Sequence, residues 1–229
     1  MPETIDTEYY EVVDETGLAG RLLLKAREKM AADFMAMAAP DASTTILDVG
    51  VSDIQMRGAN HLESVYPHKA RMSACGLGAG AEFRKAFPEI AYTQIVPNAP
   101  LPFGDRAFDV AVANAVLEHV GSTEKQRAFV RELMRVARTV FLTVPHRYFP
   151  IEHHTAIPFL HFFDPTFRLG CRLLKKERWL REDNLILMTQ DRLKALAPEG
   201  AKVGRTGLPL GPFSSNLYLF IDQETDRPL

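Results

Sequence analysis

The 229-residue sequence predicts an α/β fold built on a parallel sheet. Residues 108–114 and 140–144 are short apolar runs containing β-branched side chains. Between them Phe129, Leu133 and Val136 fall at i, i+4 and i+7, which gives a helix one apolar face. A strand, a crossover helix and a second strand pack together only on a parallel sheet. A third apolar run, residues 44–49, ends directly in Gly50. A tight turn at that place lets the backbone after the first strand of a doubly wound sheet approach a ligand.

The remaining elements follow in order. Residues 1–16 are polar and acidic and read as an arm. From Leu18, one helical face carries Leu22, Ala26, Met30, Phe34 and Met37, another carries Arg21, Lys25 and Lys29, and Pro40 ends the helix. Residues 1–40 are thus an arm and a covering helix. Residues 58–66 read as the first crossover helix, closed by Pro67, with Asn60 and Glu63 on its exposed face. Residues 70–75 read as the second strand, 82–87 as a short helix stopped by Pro88, and 92–96 as the third strand. Pro102, Gly104 and Asp105 make a turn before the strand at Phe108. After Asn114, residues 115–120 form a loop or single helical turn that Gly121 breaks. Thr123 opens the next helix, with Gln126 placed for a capping box. Residues 185–196 read as a helix capped by Thr189, and residues 201–208 and 216–221 as the last strands, joined by the 207–212 loop.

Residues 146–183 differ in composition from the rest. Four of the seven histidines lie between His146 and His161, amid Tyr148, Phe149, Phe159, Phe162, Phe163 and Phe167. Pro145, Pro150, Pro158 and Pro165 argue against one long helix. An insertion after the fifth strand lies over the carboxyl edge of the sheet, beside the ligand crevice. This segment is therefore expected to be a substrate-facing cap on a single domain spanning residues 1–229.

The net charge of −2 implies no global attraction to nucleic acid or anionic membrane. No run of about 18 apolar residues marks a membrane span, and the acidic N-terminal residues lack the apolar core of a signal peptide. A cytoplasmic location is expected, with Cys75 and Cys171 as free buried thiols.

The 101–145 stretch resembles the class I S-adenosyl-L-methionine (SAM) methyltransferases, in the subgroup often called type 11. The shared string is Leu101-Pro102-Phe103, then Phe108-Asp109, then Leu117-Glu118-His119, then Arg135-Val136. The resemblance implies a Rossmann-like, doubly wound, seven-stranded sheet of order 3-2-1-4-5-7-6 with an antiparallel last strand. It implies SAM as cofactor and a small-molecule or lipid- or sugar-linked methyl acceptor; the acidic balance and the lack of an N/D-P-P-Y-type motif speak against a nucleic-acid substrate. It places Asp48 and Gly50 at the methionine moiety, with Ser52 where the family has a second glycine. Asn114 and Ala115 lie near the sulfonium, and Asn98 near the adenine amine. At the end of the second strand the family carries a ribose-binding acid; here the strand ends Cys75-Gly76. Losing a charged hydrogen bond of that kind costs on the order of 1.5–3 kcal/mol. That departure favours an alternative reading, a catalytically inactive binding or partner subunit on the same fold.

Methyl transfer from a sulfonium is an in-line displacement that needs at most one base. His119, His146 and His154 are the candidates, with Glu118 and His119 alternatively orienting their own loop. His153 and His154 are adjacent, so at most one faces the cleft. His146, Glu152, His153, His154, His161 and Asp164 also offer imidazole and carboxylate ligands, though without an HExxH spacing. A metal-dependent enzyme built on this cluster is a further alternative.

Overall fold

A computed structural model describes residues 18–54, 58–152, 154–155 and 158–223; the acidic arm and His153 lie outside them. Its strands are β1 (Ile46–Val49), β2 (Met72–Gly76), β3 (Ala91–Gln94), β4 (Phe108–Asn114), β5 (Ala137–Pro145), β6 (Lys202–Leu210) and β7 (Phe213–Asp222). They form one sheet of order β3-β2-β1-β4-β5-β7-β6. β1 to β5 run parallel, and β7 is antiparallel to both β5 and β6. The expected order and the antiparallel last strand are both present.

Among the described residues the α-helices are α1 (Leu18–Ala38), α2 (His61–Val65), α3 (Ala81–Ala86), α4 (Thr123–Val136) and α6 (Gln190–Leu196), which flank the sheet, and α5 (Asp164–Leu173), which packs in the 146–183 segment. Successive residues of a strand face opposite ways, and the core divides accordingly. Leu47, Val49, Ala111, Ala113, Leu142 and Val144 meet Val130, Leu133 and Val136 of α4 and Leu193 and Leu196 of α6. Ile46, Val110, Val112 and Phe141 meet Phe34 of α1, Leu62 of α2 and Phe83 of α3. Phe34 and Phe141 pack with ring centroids 5.6 Å apart.

Several boundaries differ from the sequence reading. β1 opens at Ile46, because Asp109 Oδ2 accepts from both the backbone N–H and the hydroxyl of Thr45. The first crossover helix is the single turn α2, and Asn60 and Glu63 are buried rather than exposed. Ser122, not Thr123, caps α4 by accepting from Lys125 N. Gln126 is not part of a capping box; its buried amide donates to Leu117 O at 3.0 Å. Residues 185–188 are extended instead of helical: Ile186 N donates to Glu118 O and Arg147 N to Met188 O, both at 2.8 Å. Thr189 then caps α6 as expected, accepting from Arg192 N. Pairing of Pro209 with Ser214 and of Leu210 with Phe213 draws most of the expected 207–212 loop into the hairpin, past an irregularity after Thr206.

Leu133 is fully buried between α4 and the sheet. Urea denaturation of Leu133→Ala should show a loss of about 2–5 kcal/mol. The same truncation at exposed Leu173 should change stability by no more than about 0.5 kcal/mol.

Candidate active site

The carboxyl edge of β1 and β4 opens into a cleft of about 590 Å³, lined among others by Arg27, Asp48, Gly50, Asn60, Glu63 and Asn114. Gly50 turns the chain there with φ +96°, and a Cβ would run into Val116. Its N–H and that of Val51 both donate to Cys75 O, at 2.8 and 3.2 Å. Side-chain bonds then hold the loop in place of further glycines. Asn60 clamps Ser52, accepting from its N–H at 2.9 Å and donating to its carbonyl at 2.8 Å. Asp53 accepts from the backbone N–H groups of Ala81, Glu82 and Phe83.

Asp48 and Glu63 face one another inside this cleft. Burial pushes Asp48 well above the usual carboxylate range, and the Glu63 charge pushes it further. Burial raises Glu63 as well, while Arg27 opposes both shifts. Neither Glu63 oxygen has a good hydrogen-bond partner among the described residues. Burial and their like charge together disfavour ionising both acids at once. The sequence reading missed Glu63 and Arg27. Leu62 and Glu63 are both buried because α2 is one turn wedged between α1 and β1, a placement that α2's own periodicity does not reveal.

The other expected cofactor contacts lie as follows. Asn114 Oδ1 accepts from the Thr143 hydroxyl at 3.0 Å. Ala115 has φ +54° and donates its N–H to Thr143 O. Gly76 ends β2 beneath the first loop: a Cβ there would sit 2.6 Å from Val51 O and 3.0 Å from Tyr92 Oη. Asn98 occupies an exposed turn with φ +57° and does not line the cleft.

A second pocket of about 350 Å³ lies under the 146–183 segment, bordered by Glu118, His146, Glu152, His154, Met188 and Ser215, among others. His146 Nδ1 donates to Ser214 O at 3.2 Å, and burial holds its pKa below the usual imidazole range. His119 and His154 are brought together, Nε2 to Nε2, at 2.9 Å. Trp179 packs against both rings. Glu152 accepts from His154 Nδ1, from the N–H groups of His154 and Thr155 and from the Thr155 hydroxyl. Burial alone would raise its pKa, but these bonds hold it at about 2. Burial raises fully enclosed Glu118 to about 7. His161 and Asp164 stand apart from this group: His161 Nε2 donates to Phe149 O, and Asp164 pairs with Arg147.

Comparison with known proteins agrees with this architecture. Residues 74–139 match the family model described as "Methyltransferase domain". No curated protein matches the chain. A SAM-dependent methyltransferase from Thermotoga maritima, described as a possible histamine N-methyltransferase, superimposes with TM-score 0.57 at 13% identity, covering 87% of this chain and 90% of its own. A SAM-dependent methyltransferase from Aquifex aeolicus gives TM-score 0.54 at 14% identity, covering 96% and 97%. The structure described as PigF with SAH gives 0.53 at 14%, covering 88% and 55%. These likenesses establish a doubly wound methyltransferase-type fold. The family match falls on the centre of that fold, from within β2 to the start of β5.

The raised Asp48–Glu63 pair has a pH signature. A folded-state pKa above the unfolded value makes the folded state bind more protons, so stability falls as pH rises from the ordinary values of 3.8 and 4.5 through the raised ones. Glu63→Gln removes one of the two acids. Thermal melts from pH 4 to 9 should show the variant gaining on the wild type as pH rises through that window. A constant difference would mean that the pair is not coupled to folding.

Proposed function

We propose that the protein transfers a methyl group from SAM to an acceptor held under the 146–183 cap. The observation that carries this is the donor set of the first cleft. An α-amino acid end presents an ammonium and a carboxylate. The Asp48–Glu63 pair suits the first, and the Arg27 guanidinium lining the same cleft suits the second. The residues present therefore fit the methionine half of SAM. The ribose half meets Gly76 and backbone rather than an acid. When bound, SAM supplies an electrophilic methyl group on a sulfonium.

The chain's own part is binding, orientation and one proton. Asp48 and Glu63 take up the ammonium and release their shared proton. Asn114, tied to Thr143, and the left-handed Ala115 frame the carboxyl edge between the two pockets. Of the three candidate bases, His146 is best placed for proton uptake. Its Nδ1–H is committed to Ser214 O, its depressed pKa keeps the ring neutral, and its Nε2 retains a lone pair in the acceptor pocket. His119 and His154 direct their Nε2 atoms at one another.

Within the acceptor class, the cap favours a lipid-linked molecule met at an anionic membrane surface. No helix among the described residues is long and apolar enough to cross a membrane. Yet Phe159, Phe163, Leu169, Leu173 and Leu174 are all more than half exposed. Residues 164–181 carry six basic side chains against two acidic ones, in a chain of net charge −2. Apolar side chains rimmed by Arg and Lys suit a surface helix at anionic headgroups. The inactive-subunit reading is favoured by one observation, the close packing of Val51 O over Gly76 where the family's ribose acid stands.

Calorimetry with SAM and S-adenosylhomocysteine separates the two readings. Micromolar binding is expected, weakened about 10- to 100-fold by Asp48→Asn, the loss of one charged hydrogen bond. No heat up to millimolar ligand would overturn the methyl-transfer reading. Co-sedimentation with phosphatidylserine vesicles should exceed that with phosphatidylcholine and fall in the double variant Leu169→Glu/Leu173→Glu. Equal, negligible pelleting with both would restrict the acceptor to soluble molecules.

A further inference from the structure

The contact between His119 and His154 cannot be an ordinary pair of neutral rings. Asn184 O lies 2.6 Å from His119 Nδ1 and can only accept, so that nitrogen carries the proton. Glu152 Oε1 lies 2.9 Å from His154 Nδ1, and its other oxygen takes three donors, from the N–H groups of His154 and Thr155 and the Thr155 hydroxyl, so this carboxylate too accepts. Each neutral ring then has its lone pair on Nε2, and the two Nε2 atoms point at each other across 2.9 Å. Two facing lone pairs repel. Either one ring takes a second proton or a cation stands between them.

Glu118 distinguishes these possibilities. Its carboxyl group is fully enclosed, and neither oxygen has a hydrogen-bond partner among the described residues. Oε1 lies 4.0 Å from His119 Nε2. One Glu118 oxygen and one ring nitrogen from each histidine all lie within 4.8 Å of one another. A single bridging proton satisfies the two imidazoles and leaves Glu118 unpartnered. A divalent ion satisfies all three donors.

We infer that Glu118, His119 and His154 form a three-ligand site for a divalent transition-metal ion of the zinc class, next to the acceptor pocket. Two imidazoles and one carboxylate are the borderline donor set that such ions favour. Two nitrogens bound at 2.0–2.1 Å to a tetrahedral ion stand roughly 3.3 Å apart, so the rings need to part by only a few tenths of an ångström. The outer contacts are those of a metal site. One histidine donates to a carboxylate and the other to a backbone carbonyl, which fixes both tautomers with Nε2 as ligand. Glu152 is itself held by three further bonds from His154 and Thr155. Three protein ligands leave a fourth position open, and both Glu118 and His154 border the 350 Å³ pocket. An oxygen of water or of an acceptor is the ligand suited to that position. The inference does not depend on SAM binding, because the site and the first cleft have no residue in common.

The test uses the full chain, stripped with a chelator, dialysed and titrated with Zn²⁺ and, as a spectroscopic probe, Co²⁺. Expected are one equivalent bound, a rise in melting temperature and visible ligand-field bands from Co²⁺ in a low-symmetry nitrogen–oxygen site. His154→Ala and Glu118→Gln should each abolish the one-equivalent uptake, while His68→Ala, at an exposed histidine, should retain it. Glu118→Gln keeps the side-chain volume and serves as the test should His154→Ala fail to fold. Absence of saturable uptake by folded wild-type protein would overturn the inference. So would uptake that Glu118→Gln leaves unchanged. A protein that binds Zn²⁺ but not SAM would sink the methyl-transfer reading alone, and the reverse result would sink the metal site alone.

Discussion

The way the chain leaves β4 governs both pockets. Ala115 is left-handed without being glycine, a conformation that costs an L-residue roughly 1–2 kcal/mol. Two bonds to β5 hold the turn, Ala115 N to Thr143 O and the Thr143 hydroxyl to Asn114 Oδ1. The turn sends Val116 against Gly50, which shapes the first cleft. It sends Leu117 into the core, where its carbonyl meets the buried Gln126 amide. One residue later, Glu118 O anchors Ile186, and His119 reaches Asn184. Strain at one residue is thus held by the sheet and positions both candidate sites, as expected where backbone strain serves function.

The fold was largely legible because its signals are local. β4, α4 and β5 follow from apolar runs and a helical stripe, and the sheet order from the family resemblance that this stretch carries. The misread parts share one cause, tertiary partners that override local pattern. Gln126 sits where a capping box would use it, yet Leu117 O claims its amide. Residues 185–188 have apolar content suited to a helix, yet Glu118 O and Arg147 N pull them straight. Glu63 follows Leu62 in a polar-looking turn, yet both are buried while Ser64 and Val65 of the same one-turn helix face solvent.

The site was legible by residue type and not by pairing. The LEH string marked His119, and the composition of the segment after β5 marked His146 and His154. Nothing in their spacing shows that His119 and His154 meet across 35 positions while His146 turns to Ser214 O. The separation of these roles comes from Nδ1 partners, a carbonyl, a carboxylate and a second carbonyl, supplied by residues 184, 152 and 214. Two of those partners are backbone atoms, which carry no signature in a sequence.

The two pockets solve one electrostatic problem in the same way. A carboxylate moved from water into a protein interior costs several kcal/mol unless a cation or donors compensate it. Asp53 and Glu152 are compensated internally, by helix N–H groups and by His154 with Thr155. Glu118 has no hydrogen-bond partner among the described residues, and Glu63 is set against the equally buried Asp48; each lines a pocket. An enclosed acid without a partner raises the free energy of the unliganded state, and a cationic ligand recovers that energy on binding. Placing one such acid beside each pocket couples ligand occupancy to stability. Under the proposed reading the compensating charge in the first cleft is an ammonium carried on a larger molecule, and under the inferred metal site that in the second is a small ion between two imidazole lone pairs, so the shape of the donor set, rather than its charge, would distinguish the two ligands.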